Sequence, residues 1–208
     1  MKTDDLIRAL ASDGVIAPAP QRRLLWLMPA LAVALAALWS GLGLRTDLGR
    51  MLTDPVPMLR MVLGAALGVT ALWSAVRLAQ PGVPVRLWPL GLVAGVALGL
   101  WVWAFGQAPA GTRQAEILGQ TVMECLTIIP LMAALPTVVV LAALRNGAVV
   151  QPVWAGAVAG LAGGGFGAAL YALHCIEDNP LFYVTWYGTA ILCVSGLSAL
   201  IAHKVLRW

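Results

Sequence analysis

Six long apolar stretches take up most of this chain and leave few other folds open to it. They run roughly over residues 24–44, 56–78, 85–106, 123–144, 153–173 and 184–204. About 20 apolar residues are enough for a helix to cross the hydrocarbon core of a bilayer. Only 11% of the 208 residues are charged, whereas a soluble domain carries about 25%. The sequence therefore predicts an all-α integral membrane bundle of six transmembrane helices over 24–208, preceded by a polar arm at 1–23.

The distribution of Lys and Arg predicts which way this bundle faces. If the N-terminus lies in the cytoplasm, nine of the 13 basic residues fall on cytoplasmic segments and four on outer ones. Segments that stay inside carry the excess of Lys and Arg. We therefore expect both termini in the cytoplasm and the 174–183 connection at the outer face. The net charge of +4 follows this topology and does not indicate direct nucleic-acid binding.

The N-terminal arm has the pattern of a short amphipathic helix. Asp4 and Asp5 suit its first turn, where the helix dipole favours acidic side chains. Leu6, Ile7 and Leu10 then form a small apolar stripe. A helix of about ten residues is marginal alone in water, so it needs a surface to bind. The sequence leaves open whether that surface is a groove on a partner protein or the membrane itself.

Side chains that can carry chemistry concentrate at the predicted outer face. The connection between the last two spans and the start of span four supply two thiols, an imidazole and three carboxylates: Cys175, His174, Glu177, Asp178, Cys125 and Glu124. Thiolate and imidazole ligands suit soft or borderline metal ions, and two thiols at an oxidising face can pair. The pattern leaves open a disulfide, a metal site or a structural pair. The third cysteine, Cys193, lies near mid-bilayer and is expected to act as a small hydrophobe.

Glycines recur at four-residue spacing in spans three and five. Gly91, Gly95 and Gly99 form one ladder, and residues 156, 160 and 164 form the other. Small residues at this spacing let helix backbones approach closely in lipid. Both ladders predict tight packing within the molecule, with a dimer face as the alternative.

Several residues are expected to mark the membrane surface. Arg60 sits one turn into span two, from which its long side chain can extend to the outer interface. Tyr183, Trp186 and Tyr187 follow the outer connection and fit an aromatic belt at the level of the lipid headgroups.

The sequence does not favour an enzyme. Near the middle of the spans it has no ionisable residue of the kind that pumps and coupled transporters place at depth. We also find no phosphate-binding loop, dinucleotide fingerprint or zinc-protease motif, so no cofactor is expected. The alternatives that remain are a small transporter or metal-handling permease and a structural subunit of a larger membrane complex.

Several strings along the chain resemble the NrsF family of bacterial inner-membrane anti-sigma factors, which restrain extracytoplasmic-function sigma factors. The resemblance runs nearly end to end. The strings that carry it are Met1–Ile7, Leu44-Arg45 with Asp47-Leu48, Cys125 ahead of Ile129-Pro130-Leu131, and Leu173-His174-Cys175 with Glu177-Asp178, Pro180-Leu181-Phe182 and Thr185-Trp186-Tyr187. Thr46 and Ile176 stand where the family pattern leads us to expect proline.

The resemblance implies a function for both ends of the molecule. It implies that the cytoplasmic arm binds an extracytoplasmic-function sigma factor and keeps it from RNA polymerase. It also implies that Cys125 and Cys175 sense a metal or oxidative stress and release that partner. His174, Glu177, Asp178 and Glu124 are then expected as accessory ligands of a heavy-metal ion.

Overall fold

The computed structural model describes residues 3–5, 7, 20–80 and 82–206. The numbered helices of this part of the chain are α1 (Pro20–Leu24), α2 (Leu27–Gly41), α3 (Leu48–Thr53), α4 (Pro55–Leu78), α5 (Trp88–Gln107), α6 (Arg113–Leu118), α7 (Val122–Leu144), α8 (Pro152–Tyr171) and α9 (Pro180–Val205). The described residues contain no strand. The predicted all-α class is thus confirmed.

Six stretches of the described chain are long and apolar enough to cross a membrane. They contain α2, α4, α5, α7, α8 and α9, in the order predicted from the sequence. The fourth stretch is longer than expected, because α6 precedes α7 directly and extends it to residues 113–144. This composition indicates a multi-pass membrane protein. The polar connections between the spans lie at the two ends of the bundle.

Helix α8 is the centre of the bundle. It packs against α4, α7 and α9, and its glycines make these contacts possible. A Cβ atom added at Gly160 would lie 2.6 Å from the Cα atom of Ser195 on α9. One added at Gly167 would lie 2.8 Å from the backbone nitrogen of Ala133 on α7. The close packing predicted from the glycine ladder of span five is therefore confirmed.

The glycine ladder of span three behaves differently. A Cβ atom added at Gly91, Gly95 or Gly99 would meet nothing within 4 Å. Helix α5 lies at the edge of the described bundle, where its main contacts are with α4 and α9. The indole Nε1–H of Trp101, on α5, donates to Thr185 Oγ1 at 3.0 Å. The prediction of tight packing for this ladder was wrong, because spacing alone does not say whether a neighbouring helix is present.

Candidate functional site

Five side chains meet at one end of the bundle and form what we call the arginine–thiol site: Arg45, Arg60, Cys125, Cys175 and Asp178. They come from the segment after α2, the second turn of α4, the start of α7 and the connection between α8 and α9. That connection folds back over the helix ends. The backbone N–H of Arg45 donates to Leu173 O at 3.0 Å and so joins the end of α2 to it.

Arg45 binds two carboxylates at once. Its guanidinium donates to both oxygens of Asp178, each at 2.9 Å, and to both oxygens of Asp47 at 2.6 and 2.8 Å. Its side chain is 2% exposed, whereas the Asp47 side chain is 44% exposed. The two carboxylates hold the pKa of Arg45 above its usual value, and Arg45 in turn lowers the pKa of Asp47. Paired and bidentate, Arg45 is a fixed positive charge that anchors the connection.

Arg60 binds the backbone of the same connection from below. Its Nη2 donates to Ala172 O at 3.0 Å and to Cys175 O at 2.9 Å, and its Nη1 donates to Glu177 O. The last carbonyls of a helix have no partner within the helix, and Arg60 supplies one after the end of α8. Its side chain is fully buried, and Nη2 also lies 3.3 Å from Asp178 Oδ1. Arg60 was expected to extend to the membrane surface, and that prediction was wrong: buried carbonyls that need donors hold its side chain inside.

The two cysteines of the arginine–thiol site lie side by side as free, buried thiols. Cys125 donates to the hydroxyl of Tyr171 at 3.8 Å, and the sulfur of Cys175 is 3.9 Å from Thr121 Oγ1. The Cys125 thiol and the positive charge of Arg60 lower the pKa of the Cys175 thiol, although burial raises it. A thiol with a lowered pKa is the more nucleophilic member of a pair at neutral pH. The pair is therefore asymmetric: Cys175 has the greater thiolate character, and both sulfurs are buried.

The four expected accessory ligands point elsewhere. His174 Nδ1 is 2.9 Å from Gly43 O, and Glu177 accepts from the backbone N–H of Gln120 at 2.9 Å. Asp178 is bound to the arginines, and Glu124 is exposed. Within the described ranges, no group of three or more His, Cys, Asp or Glu side chains is placed to hold a metal ion. The structure brings together the two thiols of the predicted set, while Asp178 joins the same site as a partner of the arginines and His174, Glu177 and Glu124 make other contacts or are exposed.

Comparisons with known proteins identify the family of the chain. The family model "NrsF: Negative regulator of sigma F" matches residues 11–208. A probable anti-sigma-F factor NrsF of Azospira oryzae is 31% identical, and the anti-sigma-F factor NrsF of Caulobacter vibrioides is 33% identical, each over the full length of both chains. The chain belongs to the NrsF family. No solved structure matches it.

Two features of this NrsF-family site were not predicted from the sequence. Arg45 and Arg60 were assigned to the outer segments only as topological charges, yet they hold the connection together. The sequence did contain a signal, because a cation near the end of an apolar span needs a partner, and acidic residues lie in the neighbouring connections. Without the tertiary contacts, the sequence does not show which of these acidic residues is the partner of the arginines, and the structure shows that it is Asp178.

The aromatic residues of α9 also lie elsewhere than expected. Tyr183 and Tyr187 are 3% and 5% exposed, so they pack inside the bundle and do not form a surface belt. The indole Nε1–H of Trp186 donates to Ile117 O at 2.7 Å. The cap of α9 is Asn179, whose side chain accepts from the N–H of Leu181 at 2.9 Å. Cys193 is exposed on the outside of the bundle, where lipid is the expected neighbour.

The arm predicted to bind the sigma factor is described only in part. Asp4, Asp5 and Ile7 are helical and exposed, and the side chain of Ile7 is 58% exposed. Leu6 and Leu10 lie outside the described residues. An exposed apolar side chain on a short helix is compatible with the predicted binding stripe.

Proposed function

We propose that this protein is an inner-membrane anti-sigma factor with both termini in the cytoplasm. In the resting state the arm binds an extracytoplasmic-function sigma factor through Asp4, Asp5, Leu6, Ile7 and Leu10. A metal or oxidative stress acts on Cys125 and Cys175 at the outer face and releases the partner. The observation that carries the regulatory role is the full-length similarity to two anti-sigma-F factors.

The paired thiols support a sensing role for the arginine–thiol site. Oxidation would join the two sulfurs and pass two electrons and two protons to the oxidant, while a soft metal ion would bind both thiolates. Either event moves Cys175, whose carbonyl accepts from Arg45 at 3.2 Å and from Arg60 at 2.9 Å. Chemistry at the thiols therefore changes the contacts that hold the ends of α2 and α4.

Helix α7 offers a route from the thiols to the arm. Cys125 lies in its first turn, and Ala142, near its other end, accepts a hydrogen bond from Arg23 Nη1 at 3.1 Å. The 17 intervening steps of a helix span about 25 Å, close to the thickness of the hydrocarbon core. Arg23 belongs to α1, whose first four residues are the last four of the arm. Pro130 and Pro136 inside α7 each remove a backbone hydrogen bond and give the helix places to bend.

Such a switch needs a stimulus that favours the released state by about 5.5 kcal/mol to shift a population from 1:99 to 99:1. A soft metal ion acts through the difference between its binding free energies to the two states. An oxidant acts through the difference between the reduction potentials of the thiol pair in the two states.

The arm is tested by co-purification from native membranes. The wild type is compared with a variant carrying Leu6→Asp, Ile7→Asp and Leu10→Asp, and with a control carrying Thr3→Asp, which adds a charge to the same arm outside its apolar stripe. A sigma factor that is retained by the wild type and the control and lost from the arm variant supports the proposal. Recovery of no sigma factor with the wild type would contradict it.

The thiols are tested separately by transcription from a promoter of the bound sigma factor. Cys125→Ser with Cys175→Ser is expected to abolish induction by cadmium or by a thiol oxidant, and Cys193→Ser is the matched control. Induction that survives in the double variant would show that the stimulus is sensed elsewhere, while the arm could still bind the partner.

A further inference from the structure

Residues 119–121, which we call the cover segment, join α6 to α7 and lie over the thiol of Cys175. Thr121 Oγ1 is 3.9 Å from the sulfur of Cys175, while the neighbouring Gln120 is exposed. Cys175 itself is only 3% exposed. The cover segment therefore stands between this thiol and the aqueous phase, and a reagent that comes from this side has to pass it.

Three hydrogen bonds hold α6 and the cover segment against the neighbouring chain. The backbone N–H of Gln120 donates to Glu177 Oε1 at 2.9 Å, and of the three this is the bond that fixes the cover segment itself. The other two hold α6 to the start of α9: Asn179 Nδ2 donates to Glu116 Oε2 at 2.9 Å, and Trp186 Nε1–H donates to Ile117 O at 2.7 Å.

Gly119 gives the cover segment its close fit. Its φ of +53° lies in the left-handed region, which residues with a Cβ atom rarely adopt. A Cβ atom at this position would overlap the ring of Phe182 and would lie 3.2 Å from Glu177 Oε1. The backbone therefore approaches the buried ring and the carboxylate more closely than a side chain would allow.

Glu177 is linked to the thiol through the backbone. It lies two residues after Cys175, and its carbonyl accepts from Arg60, which also binds the carbonyl of Cys175. A reaction that moves Cys175 therefore also moves the carboxylate that holds the cover segment.

From these contacts we propose that the cover segment is a lid over the thiol pair and that Glu177 keeps it closed. The lid sets the rate at which small thiol reagents reach Cys175. Because the cover segment leads directly into α7, its opening frees the start of the helix that runs toward α1. The proposal rests on the sensing role proposed for the thiols, but access to Cys175 is measured on purified protein without a sigma factor.

The test is alkylation of the purified full-length protein in detergent with iodoacetamide, followed by peptide mapping of Cys175. A buried thiol reacts through a locally open form, and Glu177→Ala removes a charge-assisted hydrogen bond that opposes opening. We therefore expect Cys175 to react about tenfold faster in Glu177→Ala than in the wild type. Glu124→Ala removes an exposed carboxylate next to Cys125 and is the matched control, which should react as the wild type does.

Glu177→Gln separates the hydrogen bond from the charge. Glutamine keeps an oxygen that accepts from Gln120, so the rate at Cys175 should return to within about threefold of the wild type. A direct effect of the Glu177 charge on the thiol would instead appear in both variants, because both lack that charge. Equal rates in Glu177→Ala and Glu177→Gln would therefore overturn the lid, as would an unchanged rate in Glu177→Ala.

A second thiol distinguishes opening of the lid from loss of the fold. Ser198 is buried in α9, outside the arginine–thiol site, so the thiol of Ser198→Cys reports opening of the bundle. Its alkylation should be as slow with Glu177→Ala as without it. Equal acceleration at both positions would show that Glu177 only stabilises the fold and would overturn the lid. A selective acceleration at Cys175 supports the lid even if no sigma factor binds the protein, because the assay needs no partner.

Discussion

Replacing Arg60 by leucine tests the central structural claim, that a buried cation holds the connection between α8 and α9 to the bundle. The substitution leaves the carbonyls of Ala172, Cys175 and Glu177 without their donor and removes a charge beside Asp178. Removing one partner of a buried ion pair costs about 3–5 kcal/mol. We take about 4 kcal/mol, because the carbonyl contacts and the ion pair belong to the same guanidinium and their energies overlap.

The effect is large enough to measure as a melting temperature. For a chain of this size 1 kcal/mol corresponds to about 2–4 °C, so Arg60→Leu should lower the melting temperature of the purified protein by roughly 8–16 °C. The assay is thermal unfolding in detergent, followed by intrinsic fluorescence. Arg60→Lys keeps the charge but cannot reach all its partners at once, because an ammonium lacks the planar fork of a guanidinium. It should lie between the wild type and Arg60→Leu.

Arg50→Leu is the matched control. Arg50 lies at the same end of the molecule, in α3, but it is exposed. Surface substitutions usually change stability by less than about 0.5 kcal/mol, so this variant should melt within about 2 °C of the wild type. If Arg60→Leu also melts within 2 °C, Arg60 does not hold the connection and the description of the arginine–thiol site is wrong.

Three further predictions test other parts of the structure. Because the pKa of Cys175 is lowered, the alkylation rate of its thiol in samples free of unfolded protein should fall by much less than tenfold between pH 8 and pH 7. Mass spectrometry follows the reaction, and a tenfold fall, which is typical of an ordinary thiol, would contradict the lowered pKa. Gly160→Val should prevent a monodisperse preparation on size exclusion, because its side chain would enter the α9 backbone, whereas Gly95→Val should purify normally. Equal behaviour of the two glycine variants would contradict the central position of α8. Trp101→Phe should lower the melting temperature by about 2–4 °C, the effect of one hydrogen bond, and no shift at all would mean that its bond to Thr185 does not tie α5 to α9.

The contribution of Cys175 to the free energy of unfolding depends on pH with a definite sign. A group whose pKa is lower in the folded protein stabilises the fold fully above its unfolded pKa, which is 9.0 for the thiol. That contribution is lost as the pH falls toward the folded pKa. Stability of the wild type relative to Cys175→Ser should therefore decrease from alkaline to acidic pH, and thermal unfolding across that range measures it. An opposite slope would mean that burial raises the pKa of Cys175 by more than Cys125 and Arg60 lower it.

The sequence alone determined the architecture and the family. Apolar stretches of spanning length have one stable backbone conformation in lipid, because a helix satisfies its own hydrogen bonds, so the six helices followed from composition and length. The strings shared with the NrsF family, from Met1–Ile7 to Thr185-Trp186-Tyr187, together identified the resemblance. These conclusions rest on local properties of the chain, which do not depend on which helices are neighbours.

Tertiary structure decided which of several similar residues matter. Two glycine ladders have the same spacing, but only that of α8 is packed, because α8 has neighbours on three sides and α5 lies at the edge. Arg60 could have extended to the interface, but the end of α8 places three carbonyls around it. Glu177 and Asp178 are adjacent in sequence, yet the side chain of Asp178 binds the arginines, whereas Glu177 meets Arg60 through its backbone carbonyl. Contacts between different segments of the chain, some of them more than 100 residues apart in sequence, set these outcomes, and spacing along one helix carries no information about them.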